Sequence, residues 1–307
     1  MTDQSRPLPA QPRSDTIRAA IWMIGAIVSF ISMAIAGRAV SIELDTFEIM
    51  LFRSLIGIFI VWALAGLFGR AHEIRRARMG LHLVRNISHF AGQNFWFYAI
   101  TVIPLAQVFA LEFTSPIWVM LLSPLILGER LTKTRGIAAF AGFIGVLVVT
   151  RPSPETFHFG LIAAALAALG FAGSAVFTRR LTRSESIVSI LFWLTVMQAG
   201  LGLICAGADL DIALPSAASW PWVALIAFAG LVAHFCLTTA LSLAPATVVM
   251  PIDFTRLPLI AVVGMLLYAE PLDPFVLLGA AVIFAANYFN IWSETRGGAR
   301  AKAVTEK

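Results

Sequence analysis

The sequence predicts an all-α integral membrane protein of ten transmembrane helices, arranged as two inverted five-helix repeats. Three observations carry that prediction. Hydrophobic residues make up 59% of the 307 residues and charged residues 13%, about half the charged share of an ordinary soluble domain. Apolar stretches of about the 20 residues that a helix needs to cross the hydrocarbon layer follow one another with short polar breaks. The second half of the chain aligns on the first without a gap at an offset of 141 residues.

Taken in order, residues 1–16 are polar, carry Pro7, Pro9 and Pro12, and lack the basic, apolar and small-residue pattern of a cleaved signal. They are read as a disordered cytoplasmic tail. The first repeat, 17–151, holds spans 18–38, 46–68, 81–101, 104–127 and 134–150. Its first two spans are apolar runs, its third carries a polar stripe, and Pro104 opens its fourth. Thr132 suits a helix N-cap before the fifth, whose Gly136, Gly142 and Gly145 permit close helix approach. The second repeat, 157–293, holds spans 158–178, 186–206, 218–240, 245–268 and 273–292. Its first span is rich in alanine (Ala163, Ala167, Ala168, Ala172), and Asp273 with Pro274 suits the start of its last. Residues 294–307 form a basic cytoplasmic tail. The runs are continuously apolar, which favours helices over the alternating strands of a membrane barrel.

The net charge of +5 would suit a nucleic-acid binder, but its placement speaks for membrane topology instead. Arg6, Arg13 and Arg18, then Arg70, Arg75, Arg76 and Arg78, then Arg130, Lys133 and Arg135, then Arg179, Arg180 and Arg183, all fall on one side of the alternating spans, as does the C-terminal tail. The other side keeps Arg38 and Arg151 and carries acids such as Glu43, Asp45, Asp209 and Asp211. Positive residues stay inside. The expected location is therefore the cytoplasmic (inner) membrane, multi-pass, with both termini in the cytoplasm.

The offset places residues that are rare in membranes upon one another. Pro104 meets Pro245, Phe113–Thr114 meets Phe254–Thr255, Glu129 meets Glu270, Arg38 meets Arg179, and Glu112 meets Asp253. Five spans per repeat is an odd number, so the second copy enters the membrane the opposite way. Two halves so related can exchange conformations and open a central site to each side in turn, which favours alternating access over a static pore.

With the repeat goes a set of local motifs: Phe47-Glu48-Ile49-Met50-Leu51-Phe52-Arg53, Pro104 ahead of the fourth span, Gly128-Glu129-Arg130-Leu131, and Ala269-Glu270-Pro271-Leu272. On these residues the chain resembles the EamA branch of the drug/metabolite transporter superfamily over about residues 17–293. The resemblance implies a secondary transporter of a small organic metabolite. The stretches 47–53 and 85–98 look most like members that take up S-adenosylmethionine or riboflavin; amino-acid or metabolite exporters of the same superfamily are the alternative. From other classes, a polytopic membrane enzyme or a receptor subunit competes. An enzyme would concentrate its reactive groups, whereas His72, His82, His89, His158 and His234 are scattered. No catalytic residue is assigned.

A charged group at the centre of a membrane helix costs about 2.5–3.5 kcal/mol on the insertion scale, so such groups face a cavity or a partner. Arg53 and Glu112 have two readings: a substrate anion site with a proton-binding carboxylate, or a permanent ion pair with each other. Asp253 and Arg256, three apart, either bind solute or neutralise one another locally. Glu48, near the outer interface, is read as solvated. Asn86, His89 and Gln93 share one helix face that Trp96 extends, and Gln93 overlays His234, which points to a cavity between the third and eighth spans. His89 is either a titrating group or an interhelical hydrogen-bonding one. Trp118, with other aromatics, suits stacking on a flat heterocycle or plain packing. The substrate-binding set is thus Arg53, His89, Gln93, Trp96, Glu112, Trp118, His234, Asp253 and Arg256. Pro116, Pro124, Pro251 and Pro258 are expected to kink the fourth and ninth spans as gating points. Cys205 and Cys236 lie in apolar spans, so no metal or other cofactor is implied. Expected partners are a small-molecule solute and the lipid bilayer, with a homodimer surface on the fifth and tenth spans and no nucleic acid.

Overall fold

The computed structural model describes residues 13–128, 133–151, 158–208, 210–243 and 252–305. Among these residues every regular element is helical. In chain order they are α1 (Arg13–Val40), α2 (Thr46–Leu67), a short 3-10 turn (Ala71–Glu73), α3 (Met79–Val102), α4 (Leu105–Glu112), α5 (Ser115–Leu127), α6 (Lys133–Thr150), α7 (Phe159–Leu181), α8 (Ile187–Ala206), α9 (Trp220–Leu243), α10 (Arg256–Tyr268) and α11 (Pro274–Thr305).

Among the described residues, six apolar helices are long enough to cross a membrane: Ile17–Val40, Thr46–Leu67, Leu105–Ile126, Phe159–Leu181, Ile187–Ala206 and Trp220–Ala240. Gly136–Thr150, Arg256–Tyr268 and Pro274–Asn290 are shorter apolar helices. The α3 helix is long enough but less apolar, because its buried face carries His82, Arg85, Asn86, His89, Gln93 and Asn94. Large apolar side chains such as Phe59, Trp62, Phe140 and Phe228 are more than half exposed around the bundle. Apolar surface on that scale is stable only against lipid, and the chain is a multi-pass membrane protein.

Two ends differ from the sequence reading. α1 begins at Arg13, inside the stretch read as a tail, and α11 runs to Thr305, past the boundary placed at residue 293. Strong helix formers such as Ala299, Ala301 and Ala303 let the last helix continue where the apolar pattern stops.

Helix starts keep the repeat's offset: Thr46 and Ile187, Met79 and Trp220, Ser115 and Arg256, and Lys133 and Pro274 each stand 141 residues apart. Packing follows the same rule. α1 lies along α9 and α3 along α7, two pairings that exchange under the offset; α2 lies along α8 and α6 along α11, pairings that the offset maps onto themselves. Each half is thereby built into the other.

Glycine sets how closely two of these pairs approach. A Cβ on Gly170 of α7 would sit 2.7 Å from the Gly92 Cα of α3, so their backbones touch. A Cβ on Gly145 of α6 would sit 2.8 Å from the Gly279 carbonyl of α11. Of the small residues expected to join two copies, Gly145 is thus used within one chain, where the fifth and tenth spans meet.

Candidate functional site

On α2, Arg53, Ser54 and Gly57 share the inward face of the helix. Across from them α8 brings Leu194, Thr195 and Gln198, and α9 brings Ala227, Gly230, Leu231 and His234; together these residues line a narrow cleft. Arg53, Ser54 and Gly57 precede Leu194, Thr195 and Gln198 by 141 residues each, so this wall of the cleft is the repeat meeting its own copy.

The polar stripe of α3 closes the cleft from behind. Gln93 is 4% exposed, and its Oε1 accepts from Arg53 Nη1 at 2.7 Å. His89 lies edge-on to His234, with ring centroids 6.0 Å apart, and also touches Phe171. The Asn86 carbonyl accepts from Gln198 Nε2 at 2.9 Å. One turn before His89, Arg85 donates from Nε to Thr178 Oγ1 at 3.0 Å and from Nη1 to Asn86 Oδ1 at 3.2 Å. His89 Nε2 and Gln198 Oε1 are buried without a partner among the described residues.

A second polar cluster sits at the helix breaks. Arg256 Nη2 lies 3.1 Å from Glu112 Oε1 and 3.2 Å from Asp253 Oδ2. Its guanidinium is packed among Phe30, Phe109 and Phe113, with ring centroids 4.4, 5.1 and 5.0 Å away. Glu112 Oε2 accepts from the Trp96 indole at 2.8 Å. The ion pair that the sequence allowed between Arg53 and Glu112 therefore does not form. Both oxygens of Glu112 are taken by groups that the break brings closer, and Arg53 turns to Gln93. Phe30 separates the two clusters: its ring is edge-on to His234 at 6.0 Å and faces Arg256 on the other side.

The interruptions fall where kinks were expected. In the fourth span the regular helical hydrogen bonding lapses at Phe113–Thr114, whose backbone stays right-handed helical, and resumes as α5 at Ser115; in the other half, Phe254–Thr255 leads into α10 at Arg256. Pro116 and Pro258 lie in the first turn of the restarted segments, where a missing N–H goes unnoticed, and Pro124 lies inside α5. Pro251 is outside the described residues. Phe113 and Phe254, equivalent by the offset, stack on each other with centroids 4.3 Å apart and planes 18° from parallel. That contact is what a two-fold relation between the halves requires on its axis.

One end of the bundle is tied together by charged side chains. Arg38 at the end of α1 pairs with Glu270, while its other nitrogens donate to the carbonyls of Ile100 and Ile103 at the end of α3. Glu270 also accepts from the Leu105 N–H at 2.9 Å. Nearby, Arg151 pairs with Asp273. Glu48, read as solvated, is 6% exposed. It completes a capping box with Asp45 and accepts from the Ala213 N–H at 2.6 Å, because the start of α2 lies beneath the 213–219 loop.

Of the residues singled out from sequence, Arg53, Gln93, His89 and His234 meet at the cleft, and Trp96, Glu112, Asp253 and Arg256 meet at the breaks. Among the described residues, Trp118 makes no side-chain hydrogen bond or ring contact with either cluster. The sequence reading missed Arg85, Thr195 and Gln198. Sliding the offset over Ser54 and Gly57, next to an arginine already chosen, would have found the last two.

Comparison with known proteins agrees with this architecture. The EamA-like transporter family model matches residues 17–151 and 158–292. The riboflavin transporter of Brucella anthropi is 34% identical over 220 residues, covering 70% of this chain and 78% of that one. The riboflavin transporter of Rhizobium johnstonii is 29% identical, covering 96% and 98%. The S-adenosylmethionine uptake transporter of Rickettsia felis is 25% identical, covering 91% and 94%. A crystal structure 19% identical in sequence superposes with a TM-score of 0.63 over 89% of this chain and 97% of that one, a likeness of fold. With both halves matched, the chain belongs to the EamA-like transporter family.

Proposed function

We propose that this protein is a secondary transporter that takes up a small heterocyclic metabolite, of the riboflavin or S-adenosylmethionine kind, across the cytoplasmic membrane by alternating access. It crosses the membrane ten times with both termini in the cytoplasm. The observation that carries the mechanism is the pair of breaks at corresponding places in the halves, stacked through Phe113 and Phe254. Interrupted helices at a repeat interface leave backbone and side-chain groups to meet a solute, and they let one half rock against the other. By the distribution of basic residues, the end closed by Arg38 and Glu270 faces outward. The conformation is then one shut on the outside, with the Arg53 cleft and the Glu112–Asp253–Arg256 cluster beneath the closure. The substrate class rests on the relatives named above and on the aromatic rings around both clusters, which suit a flat ring system.

Purified protein in proteoliposomes, with an imposed gradient or unlabelled solute inside, tests the proposal. Labelled riboflavin or S-adenosylmethionine is expected to accumulate. Protein-free vesicles should not accumulate it, and Arg53→Ala and Glu112→Gln should lower the rate. Flux that is linear and unsaturable would sink the carrier mechanism. Failure with both solutes would sink the substrate class.

A further inference from the structure

Among the described residues, two of the three guanidiniums in the bundle interior, Arg53 and Arg85, make no ion pair with a carboxylate. Arg53 is held by the neutral Gln93 and faces the Phe97 ring at 6.0 Å. Arg85, 5% exposed, is held by Thr178 and Asn86, again neutral. The carboxylates of Glu112 and Asp253 are both committed to Arg256, on the far side of Phe30. Among the described residues, the break cluster therefore holds one more acid than base, and the cleft cluster holds two bases and no bonded acid.

Cations held only by neutral acceptors in a low-dielectric interior lack the opposite charge that would offset their lost hydration. A guanidinium is also the side chain best shaped to grip an oxyanion through paired N–H donors. Arg53 stands in the wall of the cleft with His234 beside it. Next to His234, His89 keeps a buried Nε2 with no partner among the described residues. From these observations we infer that the Arg53 cleft is an oxyanion subsite, and that the transported solute carries a carboxylate or phosphate that docks there against Arg53 and His234. The inference rests on the transport reading and narrows it. Of the solutes considered above, S-adenosylmethionine has a carboxylate and riboflavin has no anionic group, although its 5′-phosphate does.

The test has two arms. In the first, thermal unfolding of the purified protein in detergent is followed in chloride, inorganic phosphate or benzoate at constant ionic strength. Phosphate or benzoate should raise the midpoint of the wild type and leave that of Arg53→Gln unmoved. Protection of neither protein overturns the subsite, and equal protection of both marks an adventitious ion only and overturns it too. If Arg53→Gln does not fold, Arg53→Lys and Gln93→Leu replace it. Anion affinity reduced severalfold in both supports the subsite, and unchanged affinity in both refutes it. In the second arm, matched pairs compete for uptake: riboflavin against its 5′-phosphate, and S-adenosylmethionine against its decarboxylated form. The acidic member should bind about tenfold tighter or more, equivalent to about 1.4 kcal/mol; equal competition overturns the inference. Absence of uptake with every flavin and adenosyl compound would count against the proposed substrate class, while the first arm still decides the subsite.

Discussion

Arg53 shows how far a single position can be read before folding is known. A lone arginine in an apolar run announces a cavity or a partner, and the sequence offered Glu112 as that partner. The structure gives Glu112 to Arg256 and Trp96 and leaves Arg53 with Gln93. Arg53→Ala is therefore expected to cut saturable uptake by about tenfold or more, through loss of a charge-assisted contact rather than of an ion pair. Wild-type rates in that variant would remove Arg53 from the site. Outside the membrane, Glu43 clamps the turn after α1 to the 213–219 loop. Hydrogen bonds from the Ser219 hydroxyl, then from Ser216, hold its carboxyl below the usual carboxylate range. A lowered native value means that this clamp contributes above the ordinary carboxylate pKa and is lost as the pH falls through the lowered one. Glu43→Gln should thus flatten the acid side of the profile of melting midpoint against pH; an identical profile would show that the clamp does not titrate with folding. Gln198 and Thr195 were legible only through the offset from Arg53, because their repeat equivalents, Gly57 and Ser54, are small and look like packing.

Among the elements, α3 and α7 depend on contact between backbones. Gly170→Val would force side-chain atoms into Gly92 and the Ser88 carbonyl, at a cost of about 1–3 kcal/mol for overpacking. The melting midpoint should fall accordingly, and an unchanged midpoint would mean that the helices separate freely. At the closed end, Glu270→Gln weakens the tie between α1, the end of α3 and the start of α10's following loop. In a background with Cys205 and Cys236 replaced, a cysteine at Thr195 should then react faster with an impermeant thiol reagent added outside. An unaltered rate would show that Arg38 and Glu270 do not hold the entrance. Proline alone signalled that the fourth and ninth spans are irregular. A proline marks the place by removing one backbone donor, and the buried ion cluster and the phenylalanine stack lie where the two interruptions converge.

For the whole molecule, the offset of 141 residues governs both helix starts and helix pairings. On the proposed reading of ten crossings, an odd number per half places equivalent loops on opposite faces. Tags near Lys133 and near Pro271 should accordingly be reached from opposite sides of the membrane in intact cells. Labelling of both from one side would end the inverted arrangement, and with it the alternating-access mechanism.

Hydropathy, the side on which basic residues collect and the self-alignment are properties of the chain read in one dimension. They are enough to specify a helical membrane protein built from two related halves and to single out its few interior charges. Which charge answers which is a matter of distances of about 3 Å. Those distances depend on how α2, α8 and α9 are rotated, on the backbone contact that Gly92 and Gly170 allow, and on where the two broken helices meet. Only the tertiary structure sets these, because interior electrostatics depends on separation in space and on the low-dielectric surroundings, neither of which is encoded by spacing along the chain.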